Sequence, residues 1–451
     1  MWPRHLKENV KKILRWFIGF VAALLILIVS LIGTVDDSVI IGRGFYRRTI
    51  HRLDTFRPAL HRPQARLRAG WAKINITPRE PMPMAGYAPR DHFDSVHDSV
   101  YIRILAIDNG GIQCFLISAD LLLFPPALES KILQHQGGRR FLYFTATHAH
   151  SSLGGWDDST VGNLILGSYN ARWLDSLAAK VNNAMDFAAA HLRPASVNYF
   201  ETDASEYVEN RLDSHRGLID GMIRGLKILR DDGSKGLFVS YSAHPTNISH
   251  LSLALSGDYP ASLVKAAERT DYEFAMFASG MVGSHRVKGI SETGFLLCDT
   301  LASRLYRKVK SATLLRINDS TISTAIIPVD YGPSQLHLLP HFKVRDWVFK
   351  SLFRKLQGDI RYLKIGDVIM LGAPCDFSGE IFTRDGLGKF AASQRQKLFI
   401  TSFNGDYVGY ITYDDHYGHS GQEEVMAMNW VGPHFGGYYS EIVKKIVEGS
   451  K

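Results

Sequence analysis

Cysteine is scarce in this sequence. Cys114, Cys298 and Cys375 are the whole complement of the 451 residues. A set so small and odd argues against a disulfide framework. No Cys-x-x-Cys spacing occurs, which argues against a cysteine-based structural zinc site. Internal repeats are also missing, so nothing points to a solenoid or a propeller. Basic character is not spread over the chain. The formal net charge is +8, but much of the excess lies in residues 1–68 and the remainder is mixed, so no nucleic-acid partner is indicated.

What is present is an ordinary globular balance, with 45% hydrophobic and 21% charged residues. The length suits one large domain or two. One long apolar run stands out. Trp16–Val35 contains no charge and, at about 1.5 Å per residue, spans the roughly 30 Å hydrocarbon core of a bilayer. Arg4, Lys7, Lys11, Lys12 and Arg15 precede it, which favours an N-terminus held in the cytoplasm. No small-residue Ala-x-Ala site follows, which argues against a cleaved signal peptide. Beyond the run, Phe45, Ile50, Leu53, Phe56 and Leu60 recur at near-helical spacing among arginines. That pattern suits an amphipathic helix on anionic headgroups, or equally a helix packed on the following domain.

From Gly70 the texture changes to short apolar runs: Tyr101–Asp108, Cys114–Ala119, Phe141–Thr145, Leu237–Ser242, Phe274–Ala278, Val368–Gly372 and Leu398–Phe403. Each reads as a buried strand. Helical patterns stand between and after them at Leu174–Leu192, Pro260–Arg269, Thr300–Lys310 and Tyr439–Glu448. The mixture predicts an α/β domain with a large mixed β-sheet and surrounding helices, preceded by one N-terminal transmembrane helix. The expected division is a basic cytoplasmic tail (1–15), a transmembrane anchor (16–35), a juxtamembrane arm (36–67) and a catalytic domain (68–451). Residues 312–366 are the least legible part and suggest a subdomain or a lid.

Four constellations carry chemistry. Thr147-His148-Ala149-His150-Ser151 leads into Gly154-Gly155 just past an apolar strand. If the segment is extended, residues two apart point to one side, so His148 and His150 aim two imidazoles at one spot. Neutral imidazole is a good zinc ligand, and a second histidine can move protons; an isolated His-x-His also serves as a hydrogen-bonded loop pair. Next come His244-Pro245-Thr246 and Ser256-Gly257-Asp258, which alone suit turns or caps. Pro374-Cys375-Asp376-Phe377-Ser378-Gly379-Glu380 follows another strand, and Tyr407 to Thr412 lies near the chain end.

The order of these pieces resembles the neutral ceramidases, enzymes that cleave N-acylsphingosine. The residues that carry the likeness are Gly70 to Pro78, Met84 to Tyr87, Ala119-Asp120, Thr147 to Gly155, Asn210-Arg211, His244 with Thr246, Ser256–Asp258 and Tyr410–Thr412. The likeness covers roughly residues 68–440 and stops where the family's catalytic domain stops, so the family's immunoglobulin-like C-terminal domain is not expected. The resemblance implies one zinc ion held by His148, His244, Asp376 and Tyr410. Asp376 replaces the family's glutamate in a Pro-Gly-Glu-Phe-Thr segment. It implies His150 as acid/base or substrate contact and Arg211 as the group that polarises a carbonyl. Ser151, Gly154, Gly155 and Ser284 are the expected substrate contacts.

Two departures stand out. Where the family has Gly-Asp-x-Ser-Pro, this chain has Gly283-Ser284-His285-Arg286, so Ser284 is out of register with the family serine. Where the family has Tyr-Glu, Gln422-Glu423-Glu424-Val425 stands. The implied function is a zinc-dependent hydrolase cleaving a lipid amide with a metal-activated water, on a single-pass anchor with its domain outside the cytoplasm. The alternatives are a zinc hydrolase for another N-acyl amide or ester, and a tethered binding protein without catalysis.

Overall fold

The structure, a computed structural model, describes residues 4–87, 89–418 and 421–450. The first three residues of the expected cytoplasmic tail lie outside these. The helices in chain order are α1 (Arg4–Leu31), α2 (Gly44–Asp54), α3 (Pro126–Leu133), α4 (Thr160–Ile165), α5 (Ala171–Ala190), α6 (Asp258–Thr270), α7 (Gly294–Ser311), α8 (Asp346–Leu352), α9 (Gly379–Arg384), α10 (Leu387–Ser393) and α11 (Phe435–Gly449).

The expected mixed sheet has nine strands. Its order is Phe274–Ser279, Lys235–Tyr241, Met222–Arg230, Arg193–Asp203, Arg68–Asn75, Tyr101–Asp108, Gln113–Ala119 and Arg140–Ala146, with Leu314–Arg316 beside Arg193–Asp203. A second, five-stranded sheet runs Ala59–His61, Ile322–Val329, Gly358–Ile365, Val368–Ala373 and Lys397–Ser402. Leu105, Leu116, Tyr143, Phe238 and Met276 of the first sheet share one core cluster with Leu363, Met370 and Phe399 of the second. The two sheets therefore lie face to face. Helices α3 and α5 cover part of the first sheet's outer face and α6 and α7 another part, while α2, α9, α10 and α11 pack with the second sheet. Strands buried on both faces carry continuous apolar runs instead of alternation, which is why the short runs were legible.

The apolar N-terminal segment forms one helix whose stretch Lys11–Leu31 is long and apolar enough to cross a membrane, with mean hydropathy 2.5 and none of it buried. The helix stops at Leu31, short of the expected Val35. Ile32–Thr34 instead pairs antiparallel with Phe342–Val344. β-branched Ile32, Thr34 and Val35 and Gly33 are poor helix formers, and the ladder offers their backbone other partners. Residues 36–67 pack on the domain. Phe45 and Leu53 of α2 are buried, Phe45 stacks on Phe435 of α11 at 6.0 Å, and Ala59–His61 is an edge strand of the second sheet. Residues 312–366 supply two long strands of that sheet, α8 and a hairpin, so they belong mostly to the body of the fold.

Candidate metal centre and its pocket

Three pairs of parallel strands set the site: Gln113–Ala119 with Arg140–Ala146, Lys235–Tyr241 with Phe274–Ser279, and Val368–Ala373 with Lys397–Ser402. Loops leaving the carboxyl ends of such strands commonly build sites. Here hydroxyl groups tie those ends together. Thr145 donates to the Ser402 carbonyl at 3.0 Å, Ser279 to the Thr147 carbonyl at 2.9 Å, and Ser402 to the Gly280 carbonyl at 2.8 Å.

His148, His150 and His244 converge there. Their Nε2 atoms are separated by 3.1 Å (His148–His150), 2.9 Å (His148–His244) and 2.9 Å (His150–His244). Each Nδ1 faces a backbone carbonyl: Leu122 at 2.5 Å, Gly86 at 2.8 Å and Val282 at 3.3 Å, respectively. A ring whose Nδ1–H donates to a carbonyl presents its Nε2 lone pair. Three such lone pairs cannot hydrogen-bond to one another, and their mutual repulsion needs a cation. The separations lie a few tenths of an ångström under the about 3.3 Å between neighbouring ligands on tetrahedral zinc. The donor set therefore fits a metal ion, and among the described residues this is the group of histidines, cysteines and carboxylates suited to one. Burial holds His150 down at about 3 and keeps His148 and His244 well below the usual imidazole value; the Arg211 charge also lowers all three. All three are thus neutral at neutral pH.

The expected extended segment is not what aligns His148 and His150. The strand ends at Ala146 and His148 takes a left-handed conformation, with φ 60°. A non-glycine residue there is strained, and the surroundings hold it. Its ring stacks on Phe403 at 4.1 Å and meets the His150 ring nearly edge-on, at 86°. Gly86 makes room for the turn: a Cβ on it would sit 2.4 Å from His150 backbone atoms.

Asp376 is the fourth group. Its Oδ1 lies 3.3 Å from His148 Nε2, and its Oδ2 accepts from the Tyr407 hydroxyl at 2.7 Å. Oδ1 is buried and accepts no hydrogen bond among the described residues, as a metal-facing oxygen would. Burial pushes this carboxyl up to about 7, against the opposing effects of the Tyr407 hydroxyl and the Arg211 charge. Asp376 and Tyr410 are register partners in a two-residue parallel ladder. Gly283 lets the Asp376 loop approach, because a Cβ there would lie 2.4 Å from the Asp376 carbonyl oxygen.

Arg211 Nη2 donates to the Tyr410 hydroxyl at 3.0 Å, and Nη1 pairs with Glu424 at 3.1 Å. Burial, with the Asp376 charge adding to it, pushes the Tyr410 phenol above its ordinary value, so it is a proton donor. Glu380 is occupied elsewhere. It accepts from His416 at 2.7 Å, Asn210 at 2.8 Å and Arg384 at 2.6 Å.

His148 and His150 form part of the wall of a cavity of about 380 Å³, lined otherwise by Trp156, Val161, Ile165, Phe349, Phe353, Trp430 and other mainly apolar groups. Tyr407 and Tyr410 also line it. Among the described residues, none of Ser151, Gly154, Gly155 and Ser284 lines this cavity. Ser151 is buried beside it in sequence only, and Ser284 Oγ is buried, accepting from Ser378 at 2.8 Å and from the Glu380 amide at 3.3 Å. Gly154 serves packing: a Cβ would lie 2.1 Å from the Leu166 carbonyl oxygen. Gly155 serves a turn, with φ 73°. Glu424 and Tyr407, the partners of Arg211 and Asp376, were not anticipated. Glu424 stood in the segment that departs from the family pattern, and Tyr407 three residues before Tyr410 on the same loop.

The chain has the fold of the neutral ceramidases. The crystal structure of neutral ceramidase from Pseudomonas aeruginosa matches it with a TM-score of 0.74 and 15% identity, covering 86% of this chain and 74% of that one. A second solved structure, described as ceramidase complexed with C2, matches with a TM-score of 0.69 and 15% identity, over 85% and 74% of the two chains. No family model and no curated protein matches the sequence.

Proposed function

We propose that this protein is a membrane-anchored, zinc-dependent amidohydrolase that cleaves the amide of a lipid such as N-acylsphingosine. The observation that carries the reading is the convergence of three histidine Nε2 atoms, with the unpartnered Asp376 Oδ1 3.3 Å from one of them, where His148 and His150 also line an apolar cavity. His148, His244 and Asp376 would hold the metal, with Tyr410 alongside. When bound, zinc supplies Lewis acidity, polarising a carbonyl and lowering the pKa of water from 15.7 to about 7.

This chain's residues supply the rest. The apolar walls receive an acyl chain and exclude water, which strengthens every charge interaction at the scissile bond. His150, outside that ligand set and neutral, with its Nδ1 on the Gly86 carbonyl, would take a proton at Nε2 and deliver it to the leaving amine. Arg211, aimed by Glu424, and the Tyr410 hydroxyl face the charge that develops on the carbonyl oxygen. Ser284, bonded away behind Ser378, takes no part in bond cleavage. The helix α1 is the anchor, with the domain outside the cytoplasm.

The test is metal content together with product analysis. Purified protein is expected to carry one zinc per chain and to release free fatty acid and sphingoid base from N-acylsphingosine. Release of a different amine from a mixed lipid extract would move the reading to another N-acyl lipid. Full-length protein with neither stoichiometric zinc nor any released product would overturn it.

A further inference from the structure

Four large apolar side chains lie exposed on one small part of the domain: Leu338 (51%), Leu339 (60%), Phe342 (46%) and Trp347 (57%). Three sit on the hairpin of His337–Leu339 and Phe342–Val344, where Leu339 and Phe342 are paired across the strands. The fourth is on α8, which follows directly. The proposed catalysis uses none of them, and no face of the domain covers them.

What lies next to them is the end of the membrane-type helix. Helix α1 ends at Leu31, and the strand that pairs with the hairpin begins at Ile32, so no linker separates the two. Paired strands lie about 4.8 Å apart, so the hairpin is held at the point where α1 leaves its apolar stretch. Side chains reinforce the junction. Arg345 Nε donates to the carbonyls of Val29 at 2.9 Å and Ile32 at 3.1 Å, satisfying carbonyls at the helix end. Trp347 Nε1 donates to the Ser30 carbonyl at 3.2 Å. The Trp347 ring shares a groove with Leu25, Ile26 and Val29 of α1. Leu25 lies six residues before the end of the candidate span Lys11–Leu31, a depth of about 9 Å at 1.5 Å per residue. Trp347 is therefore beside the last turns of that span, at the level where tryptophan collects in a bilayer.

The other face of α8 belongs to the cavity. Phe349 is 1% exposed and lines it, as does Phe353 just past the helix end. Residues two apart on a helix point to nearly opposite sides, so one short helix has the anchor on one side and the cavity wall on the other.

We propose that the hairpin and Trp347 form a lipid-docking face, seated in the headgroup–acyl boundary of the leaflet from which α1 emerges. The mouth of the histidine cavity then opens at that boundary, and a lipid amide passes from the bilayer along α8 into the cavity without crossing water. The partner is the membrane surface itself, because the apolar patch is continuous with the helix that crosses it. This inference rests on the reading of α1 as a span and deepens the proposed function.

The test uses the full chain in vesicles of phosphatidylcholine and phosphatidylglycerol. The native cysteines are all buried, so a cysteine introduced as Leu339→Cys is the one open to an environment-sensitive fluorophore. Its emission should shift to the blue and be quenched by nitroxide-bearing lipids, while the same label at Leu229→Cys, exposed on the first sheet, should not be quenched. The double variant Leu339→Ser/Phe342→Ser should turn over bilayer-embedded N-acylsphingosine roughly tenfold more slowly, as expected when docking scales with buried apolar area. Its turnover of a soluble short-chain amide should be unchanged. An unquenched Leu339 label would overturn the proposal. So would energy transfer between labelled copies that persists on dilution with lipid, which would make the patch a contact between copies. Equal loss on both substrates would show a purely structural hairpin and overturn it as well. If the unmodified protein hydrolyses neither substrate, the functional reading fails while the two labels still decide the docking.

Discussion

Asp376 Oδ1 lies 3.3 Å from His148 Nε2, buried and accepting no hydrogen bond among the described residues, while Glu380 four residues on is held by three donors. The two carboxylates are thus assigned opposite roles. Asp376→Asn and Asp376→Ala are expected to purify with little zinc and no activity, a loss of metal affinity beyond the roughly 10–100-fold typical of outer-sphere changes. Glu380→Gln should keep a full equivalent. Metal analysis of the purified variants decides, and zinc retained in Asp376→Ala but lost in Glu380→Gln would reverse the assignment.

Arg211 and Glu424 form the second pair. Arg211→Ala should keep its zinc and lose about 10²–10³ in kcat, as when one oxyanion donor is removed. Glu424→Gln should cost less and leave metal content unchanged, because it aims Arg211 without facing the reacting carbonyl. A kcat for Arg211→Ala within a factor of two of the parent would remove the arginine from the mechanism.

Ser284→Ala is expected to keep activity within about tenfold, since loss of a true nucleophile costs on the order of 10⁴-fold or more. The variant gives up one buried hydroxyl bonded to Ser378 and the Glu380 amide, so a stability loss of about 1 kcal/mol should accompany it. Collapse of kcat with zinc intact would make serine the nucleophile.

Glu380 also gives a pH dependence. Burial opposes its ionisation, but the hydrogen bonds from His416, Arg384 and Asn210 outweigh burial and hold it down at about 2, from an ordinary 4.5. A carboxylate depressed in the folded state stabilises fully above the unfolded value, and that contribution fades as pH falls towards the folded one. The shift corresponds to roughly 3 kcal/mol at neutral pH. In melting curves the gap between the parent and Glu380→Gln should be constant above pH 5 or so and shrink below it. A gap independent of pH down to the acid limit would show that the depressed carboxylate is not its source.

The proposed topology rests on α1 and the five basic residues before its apolar core. Protease added to intact spheroplasts should digest the domain beyond Gly70. Protection until lysis would place the domain in the cytoplasm.

Much of the fold was legible locally. The seven apolar runs from Tyr101 to Phe403 all fall on observed strands, and the four helical patterns on α5, α6, α7 and α11. Strands buried on both faces leave unbroken apolar runs, and packed helices leave a 3.6-residue period, so burial wrote these elements into the chain. Residues 312–366 were illegible because strands with mixed exposure, such as Ile322–Val329, carry neither signature cleanly.

The sequence by itself determined the apolar helix, the places of the strands and the chemical character of the groups that follow them, since these depend on residue type and short-range spacing. Only the tertiary structure decided which of those groups meet. His150 and His244 stand 94 residues apart, and their nitrogens come together because two parallel strand pairs end at one edge and a left-handed His148 turns the loop inward. The different surroundings of Asp376 and Glu380 come largely from other segments, Tyr407 for one and Asn210 and His416 for the other, with Arg384 one helical turn beyond Glu380. The junction of α1 with the hairpin was invisible for the same reason: a backbone ladder between residues 32–34 and 342–344 leaves no mark on either segment's local pattern. Hydrogen bonds between backbones are indifferent to side-chain identity, so spacing along the chain cannot announce them.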